Sequence, residues 1–385
     1  MSIPCRFCLH TDGELVLDLG TQPAADHFPL MTDRGPDPAH PLRMWLCAAC
    51  GLAQLVEDPA PAEEPRGAEP EALLRQARDA VDAMADAGYL SPGPSAPGRS
   101  VREFGSPHGG SWLDLLTARG LHGAERCEPA DVVVDNIGMM HDADQAAALA
   151  ARVEALAPGG VLLFQFHSLA SILAGGQWNA LRHGHYGYYS TPALVGMLAR
   201  VGLVAVRATW FPLYGGTVLL AAARSGVDDG SVARLVARER AAGVLDAPVV
   251  RGLQQAAQEQ ARSLATFLAA EKAAGRTVLG YSAASRSVAL LARAGVDETL
   301  LPAVADASPT KHGRRLPGSA VPIISPAQLV AARPRSVVLF VEDLLPEVRA
   351  ALPEVEANGG RWVVPGQTIS SDGMGKTSRP PQSRT

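Results

Sequence analysis

The chain has no long apolar run: no segment reaches the ~18 consecutive apolar residues that a membrane helix needs. No membrane partner is expected. It has no basic block either. Lys and Arg number 34 against 39 Asp and Glu, a net charge of −5, whereas nucleic-acid binding needs clustered Lys or Arg to neutralise phosphates. That leaves a small molecule, not nucleic acid, as the expected partner. Residues 1–8 lack the apolar stretch of a secretory signal, which predicts a cytoplasmic protein. Cysteine is scarce and odd in number, five in all, and a reducing cytoplasm disfavours disulfides. What is present is ample core material. Hydrophobic residues make up 47% and charged residues 19% of 385 positions, the balance of a folded protein of two or three domains. The 38 glycines and 30 prolines fall mostly between periodic segments and punctuate them.

Four cysteines form two C-x-x-C pairs, Cys5 with Cys8 and Cys47 with Cys50. A two-residue spacer lets both thiolates of a knuckle reach one ion, and two knuckles complete a tetrahedral site. One structural Zn2+ is expected, because four thiolates leave no position open for water. Cys127 stands alone and reads as an inert small residue. Residues 1–57 then form a small zinc-knuckle domain with a short strand over 15–20. Bound zinc should supply much of its folding energy.

A Pro- and Glu-rich linker over 58–69 follows, and then Leu73, Leu74, Ala77, Ala80, Val81 and Met84 carry helical spacing. A Pro/Gly/Ser stretch over 91–99 ends that helix. From 100 onward short apolar runs alternate with helical stretches, which predicts an α/β domain over 58–228. Its strands are expected at 100–104, 132–136, 161–167, 203–210 and 217–223. Two helices over 231–275 open a second α/β domain, 229–367. Strands at 277–281, 302–306, 320–324 and 336–341 and a helix at 285–294 belong to it. The tail, 368–385, is polar and Gly/Ser/Pro-rich, and disorder is expected there.

Several constellations could carry chemistry. Over 101–110 a strand runs into a glycine turn and a helix N-terminus, a place for close backbone approach to a ligand. Its E-x-G-x-x-x-G spacing is that of the first motif of S-adenosylmethionine (SAM) methyltransferases. It places Glu103, Gly105, Ser106 and Gly109 at a cofactor. Glu128 would take the ribose hydroxyls by the logic of dinucleotide folds, or is a solvated loop glutamate. The strand ending at Asn136 opens on the ligand edge of a parallel sheet. His167 closes another strand, and His183, His185, Tyr186 and Tyr189 follow it. Residues i and i+2 of an extended chain share a face, so His183 and His185 are expected in one pocket. Histidine near neutrality both removes and returns a proton. Tyr214-Gly215-Gly216-Thr217 brings backbone amides to a substrate or is a plain hairpin turn. Ser282 to Arg286, with Lys311 in the loop over 306–313, suits an anion, although a turn without ligand fits the same residues.

Taken in order, C-R-F-C, L-D-L-G, L-C-A-A-C-G-L-A-Q-L, H-x-H-x-x-Y, G-G-T and D-x-S-P-x-K-x-G-x-x-L-P-G resemble one family. It is the family of sugar C-methyltransferases acting on nucleotide-linked deoxysugars in antibiotic pathways. The resemblance implies a zinc domain, a Rossmann-like SAM domain and a second Rossmann-like domain, with substrate between the last two. It implies zinc on Cys5, Cys8, Cys47 and Cys50, and SAM at Gly105, Gly109 and Glu128. His167, His183, His185 and Tyr189 would lie near the reacting carbon, and Tyr186, Tyr214, Gly215, Gly216, Ser282, Arg286 and Lys311 along the acceptor. Departures are specific. Gly184 stands where the family loop reads H-E-H, and Ser282–Ser287 lacks the Lys and second Gly of G-A-A-x-K-G. A whole β/α unit is missing between Glu128 and Asp131, and a Pro/Glu linker replaces a Tyr- and Ser-rich segment.

The expected function is SAM-dependent methyl transfer to a sugar or sugar-containing metabolite, with histidine-assisted proton removal. Loss of the Glu and the Lys favours an altered acceptor, such as an amine of an antibiotic. The alternative is a drifted fold whose histidines serve hydrolysis, rearrangement or binding.

Overall fold

The structure is a computed structural model that describes residues 2–25, 27–33, 35–57, 69, 71–91, 98–107, 109–125 and 128–365. The expectations for the linker before residue 69, most of the 91–99 stretch, Cys127 and the tail lie outside the described residues.

Three sheets organise the chain. The first is an antiparallel meander of β1 (Gly13–Pro23), β2 (Ala39–Cys47) and β3 (Ala53–Leu55). β1 runs longer than the expected 15–20 segment because two bulges, at Leu15/Leu17 and Asp18/Thr21, break its alternation.

The middle region comprises α1 (Glu71–Asp86), β4 (Ser100–Gly105), α2 (Leu113–Thr117), β5 (His122–Gly123), β6 (Ala130–Asn136), α3 (Gln145–Glu154) and β7 (Leu156–His167). It continues with α4 (Leu169–Ala174), β8 (Gly187–Tyr188), α5 (Thr191–Arg200), β9 (Val204–Phe211) and β10 (Thr217–Ala223). Its sheet runs β5-β4-β6-β7-β10-β9, with β10 antiparallel to both neighbours. β6 is a near-continuous apolar run, buried from Val132 to Asn136, as a central parallel strand covered on both faces should be. The sheet ends at the two-residue β5, and among the described residues no strand lies beyond it. β8 leaves this sheet and adds to the first one, pairing Tyr188 with Ala53 and Gly187 with Gln54.

Then α6 (Ser231–Ala241), α7 (Ala247–Val250) and α8 (Gly252–Ala273) lead to β11 (Val278–Tyr281), α9 (Ser285–Ala294), β12 (Val304–Ala305) and β13 (Ile323–Ile324). α10 (Pro326–Ala332), β14 (Ser336–Leu339), α11 (Leu345–Ala351), α12 (Glu354–Ala357) and β15 (Arg361–Val363) complete the fold. This third sheet is parallel, in the order β13-β12-β11-β14-β15.

One apolar core joins the first sheet to the last. Leu17, Leu42 and Met44 pack in the same cluster as Leu253, Ala257 and Leu264 of α8 and Val288 of α9. The small cysteine-bearing region, too short to bury a core alone, thus completes it on α8. A two-pronged ion pair, Arg315 to Asp37 at 2.7 and 2.9 Å, ties the same two regions. Among the described residues no helix is long and apolar enough to cross a membrane.

Candidate active site

A cavity of about 660 Å³ opens where β4, β6 and β7 end and the loops of the third sheet face them. Such strand ends are where parallel α/β sheets place ligands.

The glycine turn after β4 forms one wall. Ser106 and Gly109 line the cavity. Gly109 has φ +101°, and a Cβ there would lie 2.2 Å from Glu69 Oε1, so this is the position that requires glycine. Gly105 does not line the cavity, and a Cβ on it would meet nothing nearer than 4.0 Å. Glu103 is also off the wall. Its carboxylate accepts from Trp112 N at 2.7 Å and Ser111 Oγ at 2.5 Å, closing the start of α2. Asn136 lines the cavity and donates from Nδ2 to Gly110 O. Gln165 Nε2 in turn donates to Asn136 Oδ1 at 2.8 Å, and Gln76 Nε2 donates to Gln165 Oε1 at 2.6 Å. This amide chain links α1, β6 and β7 to the turn. Glu128 is exposed and away from the cavity. Arg102 Nη2 holds its backbone oxygen at 2.8 Å, and with β5 so short nothing carries the side chain to the strand ends.

The histidines divide differently from the sequence expectation. Gly184 adopts φ +78°, which breaks the period-two alternation. His185 lines the cavity, whereas His183 turns to the first sheet, donating from Nε2 to Pro41 O at 3.2 Å. Tyr186 also lies off the wall, under the Arg6 guanidinium, with its N donating to Met140 O at 2.6 Å. Through β8 the loop is built onto β3, so the cysteine-bearing region positions His185.

His141 is a site residue that sequence reasoning missed. Its ring meets His185 edge-on, centroids 4.6 Å apart. Its Nδ1 donates to Gly184 O at 3.1 Å, which leaves Nε2 as the acceptor facing Ser106 Oγ at 3.4 Å. Asp135 sets this turn: it accepts from Gly138 N and Met139 N and is buried against Arg152 Nε at 2.7 Å. The one sequence signal was a histidine just past a strand that ends at the ligand edge.

His167 lines the cavity with a buried Nε2 that has no hydrogen-bond partner among the described residues. Burial, helped by the Arg286 charge, pulls its pKa down to about 3. The ring is therefore neutral near pH 7, a hydrogen-bonding group and a poor proton acceptor. A stability consequence follows. Above its ordinary pKa of ~6.5 both folded and unfolded chains carry neutral imidazole. As pH falls from there toward 3, only the unfolded chain takes the proton, so stability drops in that window. His167→Gln should flatten this acid-side slope. Urea midpoints compared at pH 7 and pH 5 check it, and an unchanged slope counts against it.

Tyr189 lines the cavity too, but its hydroxyl donates to Gln145 Oε1. Burial raises its pKa well above the ordinary range, so it exchanges no proton near neutrality. Tyr214 lines the wall, with Arg286 5.8 Å from its ring centre. Gly215 and Gly216 do not: Gly215 N donates to Asp343 Oδ1 at 3.2 Å, and a Cβ on Gly216 would fall 1.9 Å from Ser171 Oγ. On the far wall Ser282, Arg286 and Lys311 meet the cavity. The turn there is held internally, with Ala283 N on Asp306 Oδ2 at 2.8 Å and Lys311 Nζ on Ala283 O at 2.9 Å. Arg286 has no ion-pair partner among the described residues, and burial lowers its pKa. It is a cation on the wall that can face a ligand, and Arg182 lines the same cavity.

Away from the cavity the four cysteines converge. Their Sγ atoms all lie within 4.8 Å of one another, with Cys5–Cys50 at 3.5 Å and Cys8–Cys47 at 3.6 Å. A tetrahedron with Zn–S of ~2.3 Å has S···S edges of about 3.8 Å, so the set fits zinc. Each knuckle ends on a left-handed residue, Leu9 at φ 62° and Gly51 at φ 74°.

Residues 5–64 match the family described as "Putative zinc binding domain", and residues 212–366 match "C-methyltransferase C-terminal domain". The C-methyltransferase NovU of Streptomyces niveus is 29% identical over 213 residues, 54% of this chain and 51% of that protein. The chain thus spans about half the length of this curated relative. Among solved structures, a 1,6-didemethyltoxoflavin-N1-methyltransferase from Burkholderia thailandensis overlaps 46% of this chain and 96% of its own, at 15% identity and TM-score 0.25. The mitomycin 7-O-methyltransferase MmcR overlaps 40% and 54%, at 19% identity and TM-score 0.26. At those scores neither overlap bears on fold or ligand. Two stretches of the chain, 5–64 and 212–366, are thus similar to the zinc-binding and C-terminal domains of C-methyltransferases, in keeping with its likeness to a curated C-methyltransferase.

Proposed function

We propose that the chain is a SAM-dependent methyltransferase acting on a small-molecule acceptor held between the middle and third sheets. The observation that carries this reading is the meeting, in one cavity, of a glycine turn at a parallel strand end and the His141–His185 pair. SAM, when bound, supplies a methyl group on a sulfonium. Ser106, Gly109 and Asn136 would hold its amino-acid end.

His185 removes the acceptor's proton, with the His141 edge fixing its ring. His167, neutral, hydrogen-bonds the acceptor. Arg286 offers its charge to an anionic group, which supports a sugar-type acceptor carrying one. A second reading, amine methylation, is favoured by Gly184. No carboxylate stands there to charge the imidazole, and a neutral amine needs only proximity and alignment.

Calorimetry of the full chain with S-adenosylhomocysteine tests the cofactor. One site per chain at micromolar concentration is expected. No heat at millimolar concentration removes the methyltransferase reading and leaves the histidines to other chemistry.

A further inference from the structure

We propose that Glu69 is the carboxylate that receives the α-ammonium group of SAM. The inference rests on the cofactor reading above. Glu69, just before α1, lines the cavity, and its Oε1 accepts from Gly110 N at 2.8 Å. Its other oxygen takes no hydrogen bond among the described residues.

The Gly110 peptide is committed on both sides, its N–H to Glu69 and its oxygen to Asn136. An incoming carboxylate finds that amide taken and meets a like charge. An ammonium finds the opposite: a carboxylate fixed by one amide, with lone pairs to spare.

The other charges on the cavity wall sort the same way. The carboxylates lining it are Glu69, Asp135, Asp306 and Glu347. Asp135 is spent on Arg152 and two amides, and Asp306 on the amides of Ala283 and Ser308. Glu347 stands on α11, across the cavity. At the glycine turn Glu69 is therefore the carboxylate left without a cation among the described residues. Gly109 completes the fit, since a Cβ there would lie 2.2 Å from Glu69 Oε1 and displace the carboxylate from this position.

Calorimetry of the full chain and its Glu69→Gln variant, with two probes, tests the assignment. S-adenosylhomocysteine carries the ammonium, and 5′-methylthioadenosine lacks the amino-acid end. Glu69→Gln should weaken the first by about tenfold to a hundredfold, the loss of a charge-assisted hydrogen bond. The second should bind both proteins equally. Equal or tighter homocysteine-ligand binding by the variant overturns the proposal, because Glu69 then competes for the turn. Equal weakening of both probes overturns it too, as a structural effect. A wild-type chain that binds neither probe sinks the cofactor reading, and this assignment falls with it.

Discussion

Replacing His185 by alanine is expected to lower turnover by about 10²–10⁴, the contribution of a positioned general base. Binding of S-adenosylhomocysteine should stay unchanged, because the cofactor's amino-acid end is assigned to Ser106, Gly109 and Asn136 and not to His185. The size of the defect reports the acceptor. A carbon acid cannot react until its proton leaves, so the full loss is expected at every pH. An amine deprotonates itself as pH rises, so its loss is smaller and shrinks in alkaline buffer. His183→Ala serves as the control. That ring donates to Pro41 O and does not line the cavity, so turnover should be close to wild type. Wild-type turnover in His185→Ala, with the true acceptor, would remove the loop from the mechanism.

The second large effect concerns zinc. Structural zinc in small peptides is worth about 10–16 kcal/mol of apparent binding free energy, which in such domains is folding free energy. Cys47 is the last residue of β2, and Cys50 precedes β3. Cys47→Ser should therefore lose the metal and loosen the β2–β3 end of the first sheet. β8 pairs with β3, so the loosening should reach the His185 loop. Turnover should then fall although zinc does no chemistry. Metal analysis and hydrogen exchange over 39–55 and 183–189 measure both parts. Stoichiometric zinc retained in the variant would overturn the assignment. A metal moved to His183 and His185 is not expected, because Gly184 turns those rings apart.

Much of this protein is written locally in its chain. The C-x-x-C spacing sets two knuckles whatever surrounds them, and their sulfurs converge as the spacing implies. Thr217–Ala223 and Ser285–Ala294 are a strand and a helix at the positions their patterns predict, because burial period is a property of neighbouring residues. β5 proved harder, since two residues carry no period.

The site was decided in three dimensions. One backbone angle, φ +78° at Gly184, sends His185 to the cavity and His183 to β2, and no alternation rule contains it. His141 reaches His185 from 44 positions away, and Glu69 reaches Gly110 from 41. Contacts at that separation exist only after β4, β6 and β8 have been placed by their sheets. His167 could be read as a base from its type, but burial and the Arg286 charge from another region make it neutral. Residue types and spacings along the chain thus determined the metal clip, the strand and helix pattern and the resemblance to C-methyltransferases. Packing between regions determined which polar groups are desolvated, paired or left facing the cavity, and with them the chemistry.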